Sequence, residues 1–151
     1  MPKYITQAIE LIKKFEGLSL NVYLDVGGLP TIGYGHLIKS HEFFPCAITQ
    51  EQAESLLMAD LEPFNRALDC IKAKIGDNQK AAILCLMYNI GVNAFKNSTL
   101  LKKINANAEL AEIEAQFMAW VYVNKKSVAG LINRRKKEFE LFSLKYGEIN
   151  D

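Results

Sequence analysis

Apolar residues recur at helical spacing through the first sixteen residues of the chain. Large apolar side chains follow one another at intervals of three or four positions: Ile5, Ile9, Ile12 and Phe15. This period places them on one face of an amphipathic helix. Glycine commonly follows the last residue of a helix, so we predict that the helix ends near Gly17 and that Glu16 is its last residue.

The pattern changes from helical to strand-like between residues 20 and 38. A first group of residues favoured in β-strands consists of Val22, Tyr23, Leu24 and Val26. Gly27-Gly28 is typical of a turn, and residues 31–35 form a second β-prone run. Two short strands joined by a glycine turn predict a small antiparallel hairpin.

A long helix is predicted after this hairpin. Thr49 stands three residues before Gln52, which is the spacing of a capping box. The apolar stripe that follows continues past Pro63, where a kink is expected, and runs toward Gly76. Such a helix could join two lobes of the molecule.

The C-terminal half is predicted to be helical. Residues 81–90 are nearly all apolar, which indicates a helix buried on most sides and ended by Gly91. Shorter helices are expected at about 99–104, 109–120 and 131–145, with Trp120 in the core. We place the only sheet in the N-terminal half, so the predicted class is α+β, mainly α, in a single domain of residues 1–151.

Composition agrees with a compact soluble protein. The chain has 151 residues, of which 50% are apolar and 23% charged, and its net charge is +1. This size suits one domain, and the small net charge gives no reason to expect nucleic acid as a partner. Basic residues are nevertheless frequent between 125 and 145, where they form either a solvated helix face or a surface for an acidic polymer or lipid headgroups. They are Lys125, Lys126, Arg134, Arg135, Lys136, Lys137 and Lys145.

Cysteine usage excludes a complete disulfide framework. The three cysteines, Cys46, Cys70 and Cys85, are an odd number without a CxxC pair. We expect them to be free and largely buried. His41-Glu42 begins like a zinc-binding helix motif, but Pro45 stands where the second histidine is needed. No metal or other cofactor is therefore expected.

The N-terminal residues are too polar for a signal peptide or membrane anchor. Glu10, Lys13 and Lys14 interrupt the apolar positions of the first helix. We therefore expect synthesis to end in the cytoplasm. Any substrate outside the membrane would then require the help of another protein.

Two carboxyl groups and a hydroxyl form the candidate chemistry of the chain. Glu16, Asp25 and Thr31 flank a glycine-rich, β-prone stretch. An inverting glycosidase needs one carboxylic acid to protonate the leaving oxygen and a second group to hold a water on the opposite face of the sugar. Glu16 suits the acid, while Asp25 with Thr31 suits the base. The spacing alone is also compatible with ordinary surface charges.

The residues around this triad carry a resemblance to a known family. Glu16-Gly17-Leu18, Tyr23-Leu24-Asp25, residues 31–36 and Gly130-Leu131 with Arg134-Arg135 and Glu138 resemble the bacteriophage-type lysozymes, glycoside hydrolase family 24. The resemblance follows the same order over nearly the whole chain. One departure is Ser19, which stands where the family usually has arginine and affects a surface ion pair rather than the chemistry.

The resemblance implies a fold and a reaction. The fold would be lysozyme-like, with a hairpin lobe at about 17–60, a helical lobe at about 61–151 that includes the first helix, and a cleft between them. Glu16 would be the acid, Asp25 the base that holds the water, and Thr31 its hydroxyl partner. The reaction would be hydrolysis, with inversion, of the β-1,4 bond between N-acetylmuramic acid and N-acetylglucosamine in peptidoglycan.

Further residues receive roles from the same resemblance. Substrate contacts would come from the glycine-rich segment and from the end of the buried helix: Gly35, His36, Leu37, Tyr88 and Asn89. The alternatives are a structural histidine at 36, a core aromatic at 88 and a helix cap at 89. One of Arg134 and Arg135 would pair with Glu16 and orient its carboxyl group.

The biology implied is that of an endolysin that lyses the host cell. Some members of the family carry a cysteine in place of Asp25 and a membrane-anchoring first helix, and this chain has neither feature. We therefore expect a monomer held in the host cytoplasm until a holin permeabilises the membrane and gives access to the periplasmic cell wall. The alternatives are a lytic transglycosylase and an inactive wall-binding module.

Overall fold

The computed structural model describes residues 1–144, and these confirm the predicted α+β, mainly α, class. The helices are α1 (Lys3–Glu16), α2 (Gln50–Ala67), α3 (Asp77–Ile90), α4 (Val92–Lys96), α5 (Thr99–Asn105), α6 (Leu110–Phe117) and α7 (Ala129–Ser143). The strands are β1 (Ser19–Leu24), β2 (Pro30–Gly33), β3 (His36–Leu37), β4 (Tyr122–Val123) and β5 (Lys126–Ser127). Two short 3-10 helices, Leu68–Cys70 and Met118–Trp120, extend α2 and α6.

Helix α1 ends where the sequence predicts. Its buried stripe comprises Ile5, Ala8, Ile9 and Ile12, and its last residue is Glu16. Gly17 follows with φ of +70°, a left-handed backbone conformation that strongly favours glycine and stops the helix. The catalytic candidate Glu16 therefore projects from the end of a helix that is anchored in the core.

The hairpin is present and has a third strand that was not predicted. Strand β1 pairs antiparallel with β2, placing Tyr23 opposite Thr31, and β2 pairs antiparallel with β3, placing Ile32 opposite His36. Only two residues, Tyr34 and Gly35, connect β2 and β3. The sheet consequently brings Thr31 and His36 onto neighbouring strands.

The predicted capping box opens α2. The Thr49 hydroxyl accepts a hydrogen bond from the Gln52 amide at 3.1 Å, and the Gln52 side chain accepts one from the Thr49 amide at 2.8 Å. Pro63 lies inside this helix, which ends at Ala67 instead of continuing toward Gly76. The helix packs against β2 and thereby supports the sheet.

Helix α3 is the centre of the core, as its apolar sequence predicts. Every residue from Ala81 to Met87 is fully buried, and Gly91 ends the helix with φ of +93°. The helix packs against both α1 and α7. It therefore carries its C-terminal residues, Tyr88 and Asn89, to the region where α1 ends.

Three expectations need correction. The N-terminal half does not hold the only sheet, because β4 and β5 pair in the C-terminal half around Asn124 and Lys125. Both turn residues have positive φ, yet neither is glycine, so the usual turn signal was missing.

The cysteines are less buried than expected. Cys46 is exposed, whereas Cys70 is half-buried and only Cys85 is fully buried. The basic stretch is also not one solvated face, because Arg134 and Arg135 are buried.

Further expectations concern Trp120, the last helix and the membrane. Trp120 is partly buried and packs against the core. The sequence predicts that the last helix reaches Lys145, which lies outside the described residues. Within residues 1–144, no helix has both the length and the apolar character that crossing a membrane requires.

Candidate active site

Glu16 is held by a buried arginine. The Arg134 guanidinium donates from Nη1 to Oε1 of Glu16 at 3.2 Å, and the Glu16 side chain is 20% exposed. Arg134 also lies over the ring of Phe15, at 5.4 Å from the ring centroid. These contacts answer which of the two arginines faces the acid: it is Arg134. The other carboxylate oxygen, Oε2, makes no hydrogen bond to the described part of the chain.

Gly35 forms the floor beside Oε2 of Glu16. A Cβ atom at Gly35 would lie 3.7 Å from that oxygen and 3.6 Å from the Tyr88 hydroxyl. The φ of Gly35 is +89°, so any other residue would be strained there even though the space is sufficient. Glycine at 35 thus brings bare backbone close to the acid.

Tyr88 ties the end of α3 to the sheet. Its hydroxyl donates to the carbonyl of Tyr34 at 2.8 Å, and its ring packs edge to face on Phe64. Burial raises the pKa of Tyr88, and the carboxylates of Asp60 and Glu16 raise it further. The hydroxyl is therefore a neutral, fixed donor.

Asp25 uses only one of its two carboxylate oxygens within the fold. Oδ1 accepts from the amides of Gly27 at 2.8 Å and Leu29 at 2.9 Å. These two bonds close the turn between β1 and β2, because the side chain of Asp25 replaces a backbone acceptor. Oδ2 makes no hydrogen bond to residues 1–144 and is available for a water.

The hydroxyl proton of Thr31 is already used in a hydrogen bond within the protein. The residue is 2% exposed, and its hydroxyl donates to the carbonyl of Leu29 at 2.9 Å. A hydroxyl has one proton and two acceptor lone pairs, so Oγ1 can meet a water only as an acceptor. Leu29 connects the two residues, since its amide binds Asp25 and its carbonyl binds Thr31.

His36 lies next to the site but is occupied by two carboxylates. Its Nδ1 lies 2.7 Å from Asp60 and its Nε2 lies 2.8 Å from Glu42, and the residue is 4% exposed. Burial lowers the pKa of His36, but the hydrogen bonds with Asp60 and Glu42 outweigh burial and raise it. With both ring nitrogens engaged, the side chain has the geometry of the structural alternative, and Leu37 beside it is exposed.

A buried ion network extends from Glu16 to Asn89. Glu138 is fully buried and accepts from Nε of Arg134 at 3.1 Å and from Nη1 of Arg135 at 2.6 Å. Arg135 is fully buried as well, and its Nη2 donates to Oδ1 of Asn89. The network therefore runs through the interior and reaches the surface at both ends.

A family model described as phage lysozyme matches residues 13–138, which include every candidate named above. The chain belongs to the phage lysozyme family. It is accordingly an enzyme, a hydrolase of the muramidase type, and the predicted lysozyme-like fold class and endolysin function are confirmed.

Several known phage endolysins are similar to this chain over most of its length. It is 42% identical over 142 residues to an endolysin of Acyrthosiphon pisum secondary endosymbiont phage 1, covering 90% of this chain and 94% of that protein. It is 38% identical over 143 residues to an endolysin of Bacillus phage B103, covering 91% of this chain and 53% of that protein, so it spans about half of that relative. Among solved structures, an endolysin from Escherichia coli O157:H7 phage FAHEc1 superposes with a TM-score of 0.81 at 36% identity, covering 91% of this chain and 90% of that one.

Sequence reasoning missed several residues that shape this lysozyme's site. Asp60 and Glu42 hold His36 from helix α2 and from the loop after β3, at sequence separations of 24 and 6 residues. The Cys85 carbonyl accepts from Nη2 of Arg134 at 2.8 Å. None of these contacts follows from the helix or strand pattern, because each depends on how side chains pack in three dimensions.

Proposed function

We propose that this protein hydrolyses the β-1,4 bond between N-acetylmuramic acid and N-acetylglucosamine with inversion, using Glu16 as acid and Asp25 with Thr31 as the water-holding pair. One observation carries the proposal. Each carboxylate has one oxygen bound by the protein and one oxygen without a hydrogen-bond partner among the described residues. A half-engaged carboxylate is fixed in orientation yet free to exchange a proton with a ligand.

The proposed reaction balances in one displacement. Protonated Glu16 gives its proton to the bridging oxygen as the bond from that oxygen to the anomeric carbon breaks. A water on the opposite face attacks the anomeric carbon and gives a proton to Asp25. Because the Thr31 proton is directed at Leu29, Thr31 accepts the water's second hydrogen and leaves a lone pair directed at the sugar.

The neighbouring residues receive supporting roles. Gly35 lets the sugar approach the backbone beside Glu16, since a side chain is absent there. Leu37, which is exposed, and Asn89 contact the glycan directly. Tyr88 and His36 act by holding the floor of the cleft, because the hydroxyl of one and both ring nitrogens of the other are already bound within the protein.

The biological setting is also a proposal. Similarity to phage endolysins supports peptidoglycan of a bacterial host as the substrate and a holin as the partner that gives access from the cytoplasm to the periplasmic wall. A monomer is proposed because Glu16, Asp25, Thr31 and Arg134 all come from one chain.

The stereochemistry of the first product tests this mechanism. Room for a water requires the two carboxyl groups to be roughly 6.5–9.5 Å apart, and the new reducing end should then appear first as the α-anomer. Proton NMR of a fresh digest, recorded before mutarotation, makes the measurement. Glu16→Gln is the control and should lower the rate by ~10² or more while the protein stays folded.

Other products would reject specific parts of the proposal. An initial β-anomer would indicate a covalent or substrate-assisted route, and a 1,6-anhydro end would indicate a transglycosylase. Either result removes the water-activating role of Asp25 and Thr31. A Glu16→Gln protein within a few-fold of the parent would remove the acid.

A further inference from the structure

The ion network joins the partly exposed carboxyl group of Glu16 to the exposed side-chain amide of Asn89. Glu16 and Asn89 lie at its ends, Arg134 and Arg135 follow inward, and Glu138 is the residue that binds both arginines. Glu138 has no exposed surface, and it accepts one hydrogen bond on each carboxylate oxygen. A buried carboxylate between two buried guanidinium groups is retained only with such complete pairing.

We propose that Glu138 is a positioning residue that sets two functional groups at once, the carboxyl group of Glu16 and the side-chain amide of Asn89. The inference rests on the proposed role of Glu16 as acid. It adds Glu138, a residue that does not contact the substrate. It also adds a preference of Asn89 for the acetamido group of the sugar.

The planarity of arginine makes this control possible. A guanidinium presents its five N–H donors in one rigid plane. Glu138 engages Nε of Arg134 and Nη1 of Arg135, so each plane is fixed by the same carboxylate. The remaining donors then point in set directions, Nη1 of Arg134 toward Glu16 and Nη2 of Arg135 toward Asn89.

The contact with Arg135 also decides which way the Asn89 amide faces. Arginine has donors and no acceptor, so only the amide oxygen of Asn89 can face it. The NH₂ group must then point away from Arg135, and Asn89 is exposed at the end of α3. An exposed, oriented N–H donor suits a carbonyl oxygen of the ligand, and the acetamido groups of the glycan supply one.

Glu138 additionally offsets the charge beside the acid. Among residues 1–144, Arg134 and Tyr88 lie beside Glu16, and behind Arg134 its guanidinium is contacted by Glu138 from α7 and by Cys85 from α3. Burial raises the pKa of both Tyr88 and Cys85, so these two stay neutral in the working range. Without Glu138, the positive charge of Arg134 would act on Glu16 uncompensated and favour its ionised form.

The first test is Glu138→Gln, measured as kcat and KM across pH. Loss of the acid's proton limits activity on the alkaline side. We expect this alkaline limb to move to lower pH and KM to rise at least threefold. Glu140→Gln is the matched control, because it removes the same charge from the same helix. Glu140 itself is exposed and pairs with Lys137. A purely structural role would lower the melting temperature and leave the pH limb in place.

The second test uses Asn89, which is exposed and can be changed without opening the core. Asn89→Asp keeps an oxygen for Arg135 but has no N–H to donate, and Asn89→Ala has neither. The probes are a tetramer of N-acetylglucosamine and a tetramer of glucose, titrated by calorimetry into Glu16→Gln protein. We expect both Asn89 variants to bind the acetylated tetramer about three- to tenfold more weakly, the scale of one hydrogen bond, and the glucose tetramer unchanged.

The outcomes separate this inference from the proposed function. If the parent protein fails to hydrolyse peptidoglycan, the proposed function fails. If it hydrolyses normally but folded Glu138→Gln keeps its KM and alkaline limb, or Asn89→Asp binds the acetylated tetramer as the parent does, only the positioning role is overturned. Should Glu138→Gln not fold, Glu138→Asp, which keeps the charge but shortens the side chain, is measured in its place, and an unchanged KM overturns the positioning role.

Discussion

At the scale of single residues, Leu29 links the two groups proposed to hold the water. Its amide donates to Asp25 and its carbonyl accepts from Thr31, so one peptide segment sets both side chains. The shared support implies that the two groups act together on one water. Neither side chain can shift without disturbing the backbone that holds the other.

Mutations at Asp25 and Thr31 should therefore be non-additive. Asp25→Asn keeps an Oδ1 acceptor for the turn amides but loses the base, and we expect a fall in rate of ~10² or more. Thr31→Val removes the hydroxyl and should also lower the rate strongly. Thr31→Ser keeps the hydroxyl and is the control. The double mutant, measured by peptidoglycan turnover, should be little worse than the weaker single mutant. Multiplicative losses would show that the groups work separately.

At the scale of elements, His36 joins strand β3 to helix α2 and to the following loop. It lies between Asp60 and Glu42, and Glu42 also accepts from the Lys39 amide at 2.8 Å. The pKa of Glu42 is lowered by the Lys39 amide and by His36. The imidazole between two carboxylates thus fixes the third strand that the sequence did not reveal.

This cluster should make stability depend on pH in a defined direction. The pKa of His36 is higher in the folded protein than in the unfolded chain, where it is about 6.5. The stability that His36 contributes is therefore complete below pH ~6.5 and is lost as the pH rises through the pKa of the folded state. The Glu42 contribution is present above about 4.5 and is lost as pH falls.

Thermal or urea unfolding at several pH values between about 4 and 9 measures the effect. The unfolding free energy of the parent should decline above pH ~6.5. His36→Gln should flatten this decline, and His41→Gln, at the other, exposed histidine, should not. Equal slopes in the parent and in His36→Gln would contradict the assignment.

The contrast between predicted and unpredicted elements has a physical reason. The end of α1 at Glu16 and the capping box at Thr49 depend on neighbouring residues, and both follow from the sequence. Strands β3, β4 and β5 have two residues each, too few to show an alternating pattern. The partners of His36 and the choice of Arg134 over Arg135 depend on tertiary packing, which no local pattern contains.

At the scale of the whole molecule, the three cysteines differ in how deeply they are buried. Cys46 is exposed, Cys70 is half-buried, and Cys85 is buried beneath Arg134. Burial raises the pKa of Cys70 and raises that of Cys85 well above its ordinary value. Reactivity of a thiol requires the thiolate and access, so the order of modification should follow depth.

Thiol labelling should therefore report on folding rather than on catalysis. In native protein one thiol, Cys46, should react rapidly, and unfolded protein should show three. The labelling rate of Cys85 should track global unfolding, because no smaller opening exposes the centre of α3. Activity should be equal with and without reductant. A count of one thiol after denaturation without reductant would reveal a disulfide and contradict this account.

The placement of Glu16 at the end of α1 has a consequence for engineering. The proposed acid, Glu16, is carried by a helix that packs on α3, whereas the proposed base, Asp25, directly follows a strand of the sheet that packs on α2. The distance between Glu16 and Asp25 consequently depends on how α1 packs against α3 and how the sheet packs against α2. Ile12, one turn before Glu16 and fully buried, helps to seat α1. We expect a change in its volume to alter the distance between Glu16 and Asp25, so a core substitution distant from any sugar would become a means of tuning the reaction geometry.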